Sequence, residues 1–334
     1  MKAINQIIEK AKAAPARIVL CEAHDIRILT AAVKAAKHNI ASIILVGNIP
    51  QISDLAAQHA LDITCIQLID PDKSELTPIF AKAFYELRKH KGISLESATK
   101  AVAEPLCFTN MMVREGYADG CVAGAVHTTS DVVRNSIQIL GVDPNYKLVS
   151  SFFLMMMCEP FHTLKGGLIF SDCGLVIDPS AEELADIALS ASQSAKALLM
   201  QDPKVAMLSF STNGSAKHKS VDKVVEASRL VKQQAPDLAI DDDIQLDAAI
   251  VADIANSKLP NSKVKGESNV LVFPNLEAGN IGYKLAQRLG GALAIGPLLQ
   301  GLAKPANDLS RGCSADDAYH VIAVTVVQAQ ALSN

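Results

Sequence analysis

The segment Gly301–Asp317, GLAKPANDLSRGCSADD, sets a serine, an arginine, a glycine and a carboxylate around a helix start. Arg311 presents a rigid fork of donors that matches the oxygens of a phosphate. Ser310 with nearby backbone amides can hold a developing oxyanion, and Asp317 can accept a proton. Together these serve acyl transfer involving a phosphate or a phosphorylated substrate. The same residues also have a local use. Ser314-Ala315-Asp316-Asp317 reads as an N-cap with an acid at N3, close to a capping box, with Arg311 as a surface partner of Asp317. Local chemistry leaves both readings open.

Other segments could receive an anion. Gly124–Asp131, GAVHTTSD, follows a short strand and opens a helix that carries Arg134. Free amides at the helix start, the hydroxyls of Thr128, Thr129 and Ser130, and one arginine suit a phosphate. Equally, Thr129 or Ser130 caps the helix while Asp131 pairs with Arg134. The segment Ser209–Lys219, SFSTNGSAKHK, lacks the P-loop spacing and reads as a turn with a solvated lysine face. FYELRKHKG, Phe84–Gly92, gathers cations at a helix C-terminus, where they complement the dipole. Arg88 could instead reach a phosphorylated ligand. His24, His127 and His162 have no metal-ligand spacing, and no GxGxxG fingerprint occurs.

Positioning such groups takes a scaffold, and the chain alternates two periods. Short β-branched runs read as buried parallel strands: Arg17–Cys21, Ser42–Val46, Cys121–Ala123, Val149–Leu154, Gly167–Phe170, Val205–Phe210, Val270–Phe273 and Ala292–Ile295. Helical patterns lie between them, at Ile26–His38, Thr77–Arg88, Ala181–Leu199, Val221–Gln234 and Ile281–Leu289, and a last one closes the chain at Ala315–Ala331. This alternation predicts an α/β architecture of mainly parallel sheets flanked by helices. The 334 residues suffice for two domains, and a turn cluster at Asp143-Pro144-Asn145 marks the expected boundary.

Composition narrows the function classes. With 31 basic against 35 acidic side chains, the net charge of −4 gives no basic face for nucleic acid. Trp is absent and aromatics are 4%, which removes stacking platforms for single strands. The seven cysteines are scattered without a CxxC pair, so neither a zinc site nor a disulfide scaffold is expected. The N-terminus lacks the apolar stretch of a signal peptide, and the longest apolar run, around Leu148–Cys158, is too short to span a bilayer. A soluble protein of a reducing cytoplasm is the expectation.

The phrases FYELRKHKGISLE, ADGCVAGAVHTTSDVVR, VAMLSFSTNGSAKHK, APDLAIDDDIQLDAAIV, NVLVFPNLEAGNIGYKLAQRLGGALAIGP and QGLAKPANDLSRGCSADD run in order along the chain. In these phrases, from Ile26 to Gln330, the chain resembles the phosphate acetyl/butyryl transferase family, in its phosphate acetyltransferase branch. The resemblance implies reversible acetyl transfer between acetyl phosphate and coenzyme A. Coenzyme A is then a substrate; no tightly bound cofactor and no metal are implied. It also implies a homodimer and two α/β domains similar to those of the isocitrate and isopropylmalate dehydrogenases, with the active-site cleft between them. The expected first domain is residues 1–145 completed by 297–334, and the second is 146–296. By position, Ser310 matches the family's oxyanion-stabilising serine, Arg311 its phosphate-binding arginine and Asp317 its general base. Arg88 and Arg134 match residues for coenzyme A or phosphate, and Thr128, Thr129 and Ser130 fall in the turn expected to line the phosphate pocket.

Two positions depart from the family pattern. Asp242 stands in IDDDIQ where glycine is usual, which suggests a positive-φ turn at some conformational cost, and Asn213 stands where many relatives carry lysine. Phosphate butyryltransferase activity and a non-catalytic acyl-phosphate or coenzyme A sensor are the alternatives. A decarboxylating dehydrogenase shares the architecture but lacks support in any nicotinamide or metal-carboxylate pattern.

Overall fold

The computed structural model describes residues 2–162, 164 and 166–333. Apolar runs form the strands and amphipathic runs the helices, in the order α1 (Lys2–Ala13), β1 (Ala16–Leu20), α2 (Ile26–Lys37), β2 (Ala41–Val46), α3 (Ile49–Gln58), β3 (Gln67–Ile69), α4 (Leu76–Arg88), α5 (Leu95–Ala103), α6 (Pro105–Arg114), β4 (Gly120–Ala123) and α7 (Thr129–Leu140). There follow β5 (Ser150–Met157), β6 (Gly166–Ser171), α8 (Ala181–Leu199), β7 (Lys204–Leu208), α9 (Lys219–Gln234), β8 (Ala239–Ile244), α10 (Leu246–Ile250), α11 (Ala252–Lys258), β9 (Val270–Val272), α12 (Leu276–Arg288) and β10 (Leu293–Gln300). The chain closes with β11 (Ala306–Asp308) and α13 (Ala315–Ser333). It divides into two compact units, one of residues 6–143 and 302–333, the other of residues 144–301 with residues 2–5.

In the first unit the sheet order is β11-β4-β1-β2-β3, and every pairing is parallel. Ile18, Val19 and Leu20 of β1 are fully buried, as expected of a central parallel strand covered on both faces. One cover is α13, which is apolar around most of its circumference and buries Val321, Ile322, Val324, Val326 and Val327. Asn307 of β11 donates to Thr325 Oγ1 (2.8 Å) and Gln328 Oε1 (2.6 Å) on α13. These bonds fix the short strand that leads into Ser310.

The second unit holds a sheet of order β10-β5-β6-β9-β7-β8. Here the expectation of parallel strands fails at one side, since β5 runs antiparallel to both β6 and β10. The connection from β5 to β6 is too short to hold a crossover helix, so the chain can only turn back beside itself. The remaining pairings are parallel.

Asp242 does not occupy a turn. It lies within β8, and the backbone there has no positive φ. Each of the three carboxylates has its own partners. Asp241 accepts from Ser262 and from Lys263 N (2.7 Å), and Asp242 from Ser228 while pairing with Lys232 (2.5 Å). Asp243 accepts from Ser211 Oγ (2.7 Å) and Gly214 N (2.9 Å). The left-handed residue is Asn213, at φ 52°, a conformation asparagine tolerates better than lysine does. Among the described residues no helix is long and apolar enough to cross a membrane.

Candidate active site

The residues singled out in the sequence as site residues all lie in the first unit. From β1 the chain proceeds to β2 and β3 on one side, while β4 and β11 lie on the other. Loops at the carboxyl ends of β1 and β4 therefore part at the switch point, where open parallel sheets receive ligands. Three loops meet there, carrying Glu22, residues 124–128 and residues 309–314.

Glu22 follows β1 and is 1% exposed. Its carboxylate accepts four backbone amides, with Gly124 N (3.0 Å) and Ala125 N (2.8 Å) on Oε2 and Val126 N (3.0 Å) and His127 N (2.8 Å) on Oε1. His127 Nδ1 lies 2.7 Å from the same Oε1. Burial works to raise the Glu22 pKa, but the imidazole and the amides outweigh it and leave the carboxyl below its ordinary range. The hydrogen bond to Glu22 raises the His127 pKa against the opposing effect of burial. The amides of residues 124–127 are thus filled by an anion from the chain itself. An incoming phosphate cannot use them, which corrects the expectation for the first half of GAVHTTSD.

Gly124 makes this arrangement possible. Its φ is 111°, and a Cβ there would sit 2.2 Å from Asp308 Oδ1 and 2.6 Å from both the N and the O of Leu309. Gly124→Ala should therefore destabilise the protein by about 3 kcal/mol or more, through overpacking and a disfavoured backbone. A lowered urea midpoint at unchanged m-value checks this.

Arg27 ties the loops together. Its Nε (2.9 Å) and Nη2 (2.7 Å) clasp Asp25, the N-cap of α2. Nη1 donates to the carbonyls of Arg311 (2.7 Å) and Cys313 (3.0 Å), and Nη2 also donates to that of Ala125 (3.0 Å). One guanidinium thereby holds the turn after β11 against the loop after β4.

That turn carries the predicted trio. Ser310 is exposed, its Oγ accepts from Gly312 N (3.3 Å), and its carbonyl accepts from Cys313 N (2.9 Å). The Arg311 guanidinium is exposed and makes no ion pair or hydrogen bond among the described residues. Asp317 completes a capping box, since its Oδ2 accepts from Ser314 N (2.8 Å) and Ser314 Oγ (2.8 Å), while Ser314 Oγ accepts from Asp317 N (3.1 Å). The capping use of Asp317 is real, but it engages only one carboxylate oxygen. Oδ1 stays open.

At the start of α7 the cap is Thr128, not Thr129 or Ser130. Its Oγ1 accepts from Asp131 N (3.2 Å) and donates to Asp131 Oδ2 (2.7 Å). Arg134 pairs with Asp131 at 3.3 Å and is largely exposed. Thr129 and Ser130 are exposed at the first turn, where amides lack intrahelical partners. Arg88 ends α4, half-buried, and among the described residues forms no ion pair. Among the described residues no hydrogen bond or ion pair joins it to these loops.

Sequence reasoning missed Glu22, Arg27 and Asp308. Asp308, the last residue of β11, is fully buried, and among the described residues neither carboxylate oxygen completes a hydrogen bond. Burial pushes its carboxyl up to about 7, the Thr129 hydroxyl opposes this, and the Glu22 charge adds to it. One signal was available in the sequence. Glu22 and Asp308 stand at or just beyond the ends of strands that an all-parallel sheet must bring together, and Arg27 opens the helix that follows the first of them.

Comparison with known proteins places the chain as a whole. The family model described as Phosphate acetyl/butaryl transferase matches residues 2–326. A phosphate acetyltransferase from Thermoanaerobacterium thermosaccharolyticum is 51% identical over 330 residues, covering 99% of this chain and 100% of that one. One from Clostridium acetobutylicum is 49% identical over 330 residues, covering 99% of each. Among solved structures, a phosphotransacetylase from Streptococcus pyogenes has a TM-score of 0.92 at 40% identity, covering 100% of this chain and 99% of that one. The EutD phosphotransacetylase from Staphylococcus aureus has a TM-score of 0.91 at 42% identity, with 98% of each chain covered.

The α/β fold and these relatives define an acyltransferase. Matched over nearly its whole length, the chain belongs to the phosphate acetyl/butaryl transferase family.

Proposed function

We propose that the chain is a phosphate acetyltransferase, moving an acetyl group reversibly between acetyl phosphate and coenzyme A. The observation that carries this reading is the Arg311 guanidinium, exposed and unpaired beside Ser310 in a chain whose relatives bear that activity. An arginine with no internal partner is free to take a phosphate in its two-pronged grip. The open amides of Thr129 and Ser130 at the start of α7 offer the same phosphate further donors.

Transfer proceeds by direct displacement with both substrates bound. Asp317 accepts the thiol proton of coenzyme A on Oδ1, giving the thiolate that is the competent nucleophile. Sulfur attacks the acetyl carbonyl carbon, and Ser310 with nearby amides stabilises the oxyanion. As the carbonyl reforms, the bond from carbon to the phosphate oxygen breaks, and phosphate leaves with that electron pair toward Arg311. Much of the acceleration comes from aligning two bound substrates, one of them already activated. Arg88 and Arg134 are assigned to the phosphates of coenzyme A, and the working form is a homodimer; both assignments rest on the family resemblance.

The reading is tested by incubating the protein with acetyl phosphate and coenzyme A and following acetyl-CoA. Absence of product, or faster turnover with butyryl phosphate, would overturn it. The double role of Asp317 separates cleanly by substitution. Asp317→Asn keeps a side chain that caps well, so its unfolding midpoint should stay near wild type while kcat falls about 10²–10⁴-fold. Ser314→Ala should cost about 1 kcal/mol of stability and leave most of kcat. If Asp317→Asn turned over like wild type, the carboxylate would be a cap and nothing more.

A further inference from the structure

Two buried carboxyls flank Gly124. Glu22 takes its N–H, and Asp308 Oδ1 stands where a side chain at this position would project, 2.2 Å from an added Cβ. The donors are shared unequally. Glu22 holds four amides and the His127 imidazole, while Asp308, equally buried, completes no hydrogen bond among the described residues, and the nearby Thr129 hydroxyl and Leu309 N–H offset only part of its burial. A charged carboxylate in such surroundings is strongly disfavoured, so Asp308 keeps its proton while Glu22 gives its own up. Where two acids are pushed apart in this way, the split commonly serves the chemistry beside them.

Asp308 lies beside Thr129 at the start of α7 and two residues before Ser310, and its strand is packed by β4, α7 and α13. We infer that Asp308 is a positioning residue for the transferred phosphate, a neutral acid under the phosphate subsite whose charging opposes phosphate binding. The inference rests on the proposed reading of Arg311 and the α7 start as that subsite. The other charged groups on the surrounding elements are engaged elsewhere. Arg27 is held by Asp25, and His127 by Glu22. Asp131 and Arg134 pair on α7, and on α13 Asp316 pairs with Lys34 while Asp317 caps at Ser314. His320, also on α13, is held toward its neutral form by burial. Among the described residues no cation is positioned to neutralise Asp308 once it ionises. A buried negative charge then stands close to an incoming dianion. By linkage, bound phosphate in turn raises the affinity of Asp308 for its proton.

The test is the pH dependence of KM and kcat for acetyl phosphate, whose charge, unlike that of inorganic phosphate, does not change around neutrality. In wild type, KM should rise about tenfold as pH climbs through about 7, with kcat changing much less. Asp308→Asn, which cannot ionise, should show a KM that is low and flat over the same range. An identical KM profile in both proteins overturns the inference. Infrared spectroscopy of wild type with inorganic phosphate decides the matter even if the variant does not fold. A protonated carboxyl band should disappear as pH rises, and saturating phosphate should shift that loss to higher pH. A band absent at low pH, or indifferent to phosphate, also overturns it. Absence of acetyl-CoA formation at every pH would instead sink the functional reading, which separates the two failures.

Discussion

Arg311→Lys is expected to lower kcat for acetyl transfer by about 10²–10³-fold, with KM for acetyl phosphate raised and the unfolding midpoint unchanged. The kinetic half follows from shape. Lysine keeps the charge but replaces a planar two-pronged donor by a single mobile ammonium, which cannot hold the departing phosphate in one orientation. The stability half follows from the environment of Arg311. Among the described residues its side chain binds nothing, and what this residue gives the turn is its carbonyl, which Arg27 holds. Steady-state kinetics with a urea titration on the same preparation checks both halves. A variant with near-wild-type kcat removes Arg311 from the reaction, and a variant that loses stability shows a structural role instead.

The second large effect lies in stability. Glu22→Gln should cost about 3–5 kcal/mol, because it removes the buried charge that four amides and an imidazole are arranged around. A glutamine amide can accept on one side only; on the other it sets N–H against N–H. The pH behaviour of wild type follows from the same pair. The Glu22 carboxyl is depressed when folded, so its contribution is present above the ordinary carboxylate range and lost as pH falls through the folded value. His127 is raised when folded, so its contribution is full below an ordinary histidine pKa and lost as pH rises through its higher folded value. Thermal unfolding against pH should show both declines in wild type. His127→Gln should lose the alkaline one and retain the acid one, since the amides remain. A midpoint for Glu22→Gln within error of wild type would show that the charge is dispensable.

The sequence was informative where residue type and period agree. Alternating apolar runs and amphipathic stretches identified most strands and helices, and Ala181–Leu199 was located to the residue. Strands built from other chemistry stayed hidden. β8 reads AIDDDI and β11 reads AND, and acidic residues and asparagine are depleted in strands, so neither looked like one. The three carboxylates of β8 and the amide of Asn307 are tolerated because each finds partners across the fold; Asp308 finds none and is pushed toward its neutral form instead. The trio of Ser310, Arg311 and Asp317 could be proposed from the sequence because it is local and its spacing suggests a mechanism, and the capping use of Asp317 was legible for the same reason. Glu22 was not, because its partners begin 102 residues further along the chain and no local pattern distinguishes a buried acid after a strand. The same distance hid the filling of the 124–127 amides, which in isolation look like a vacant anion site.

That filling has a consequence for how the site behaves in a crowded ionic medium. Glu22 is a ligand tethered to its own receptor, present at an effective concentration that no dissolved anion approaches. Sulfate, phosphate or a carboxylic acid in solution cannot compete for the loop after β4, so its shape is independent of the anions around it. On the proposed reading, selection among those anions falls to Arg311, whose guanidinium has no partner among the described residues, and to the first turn of α7.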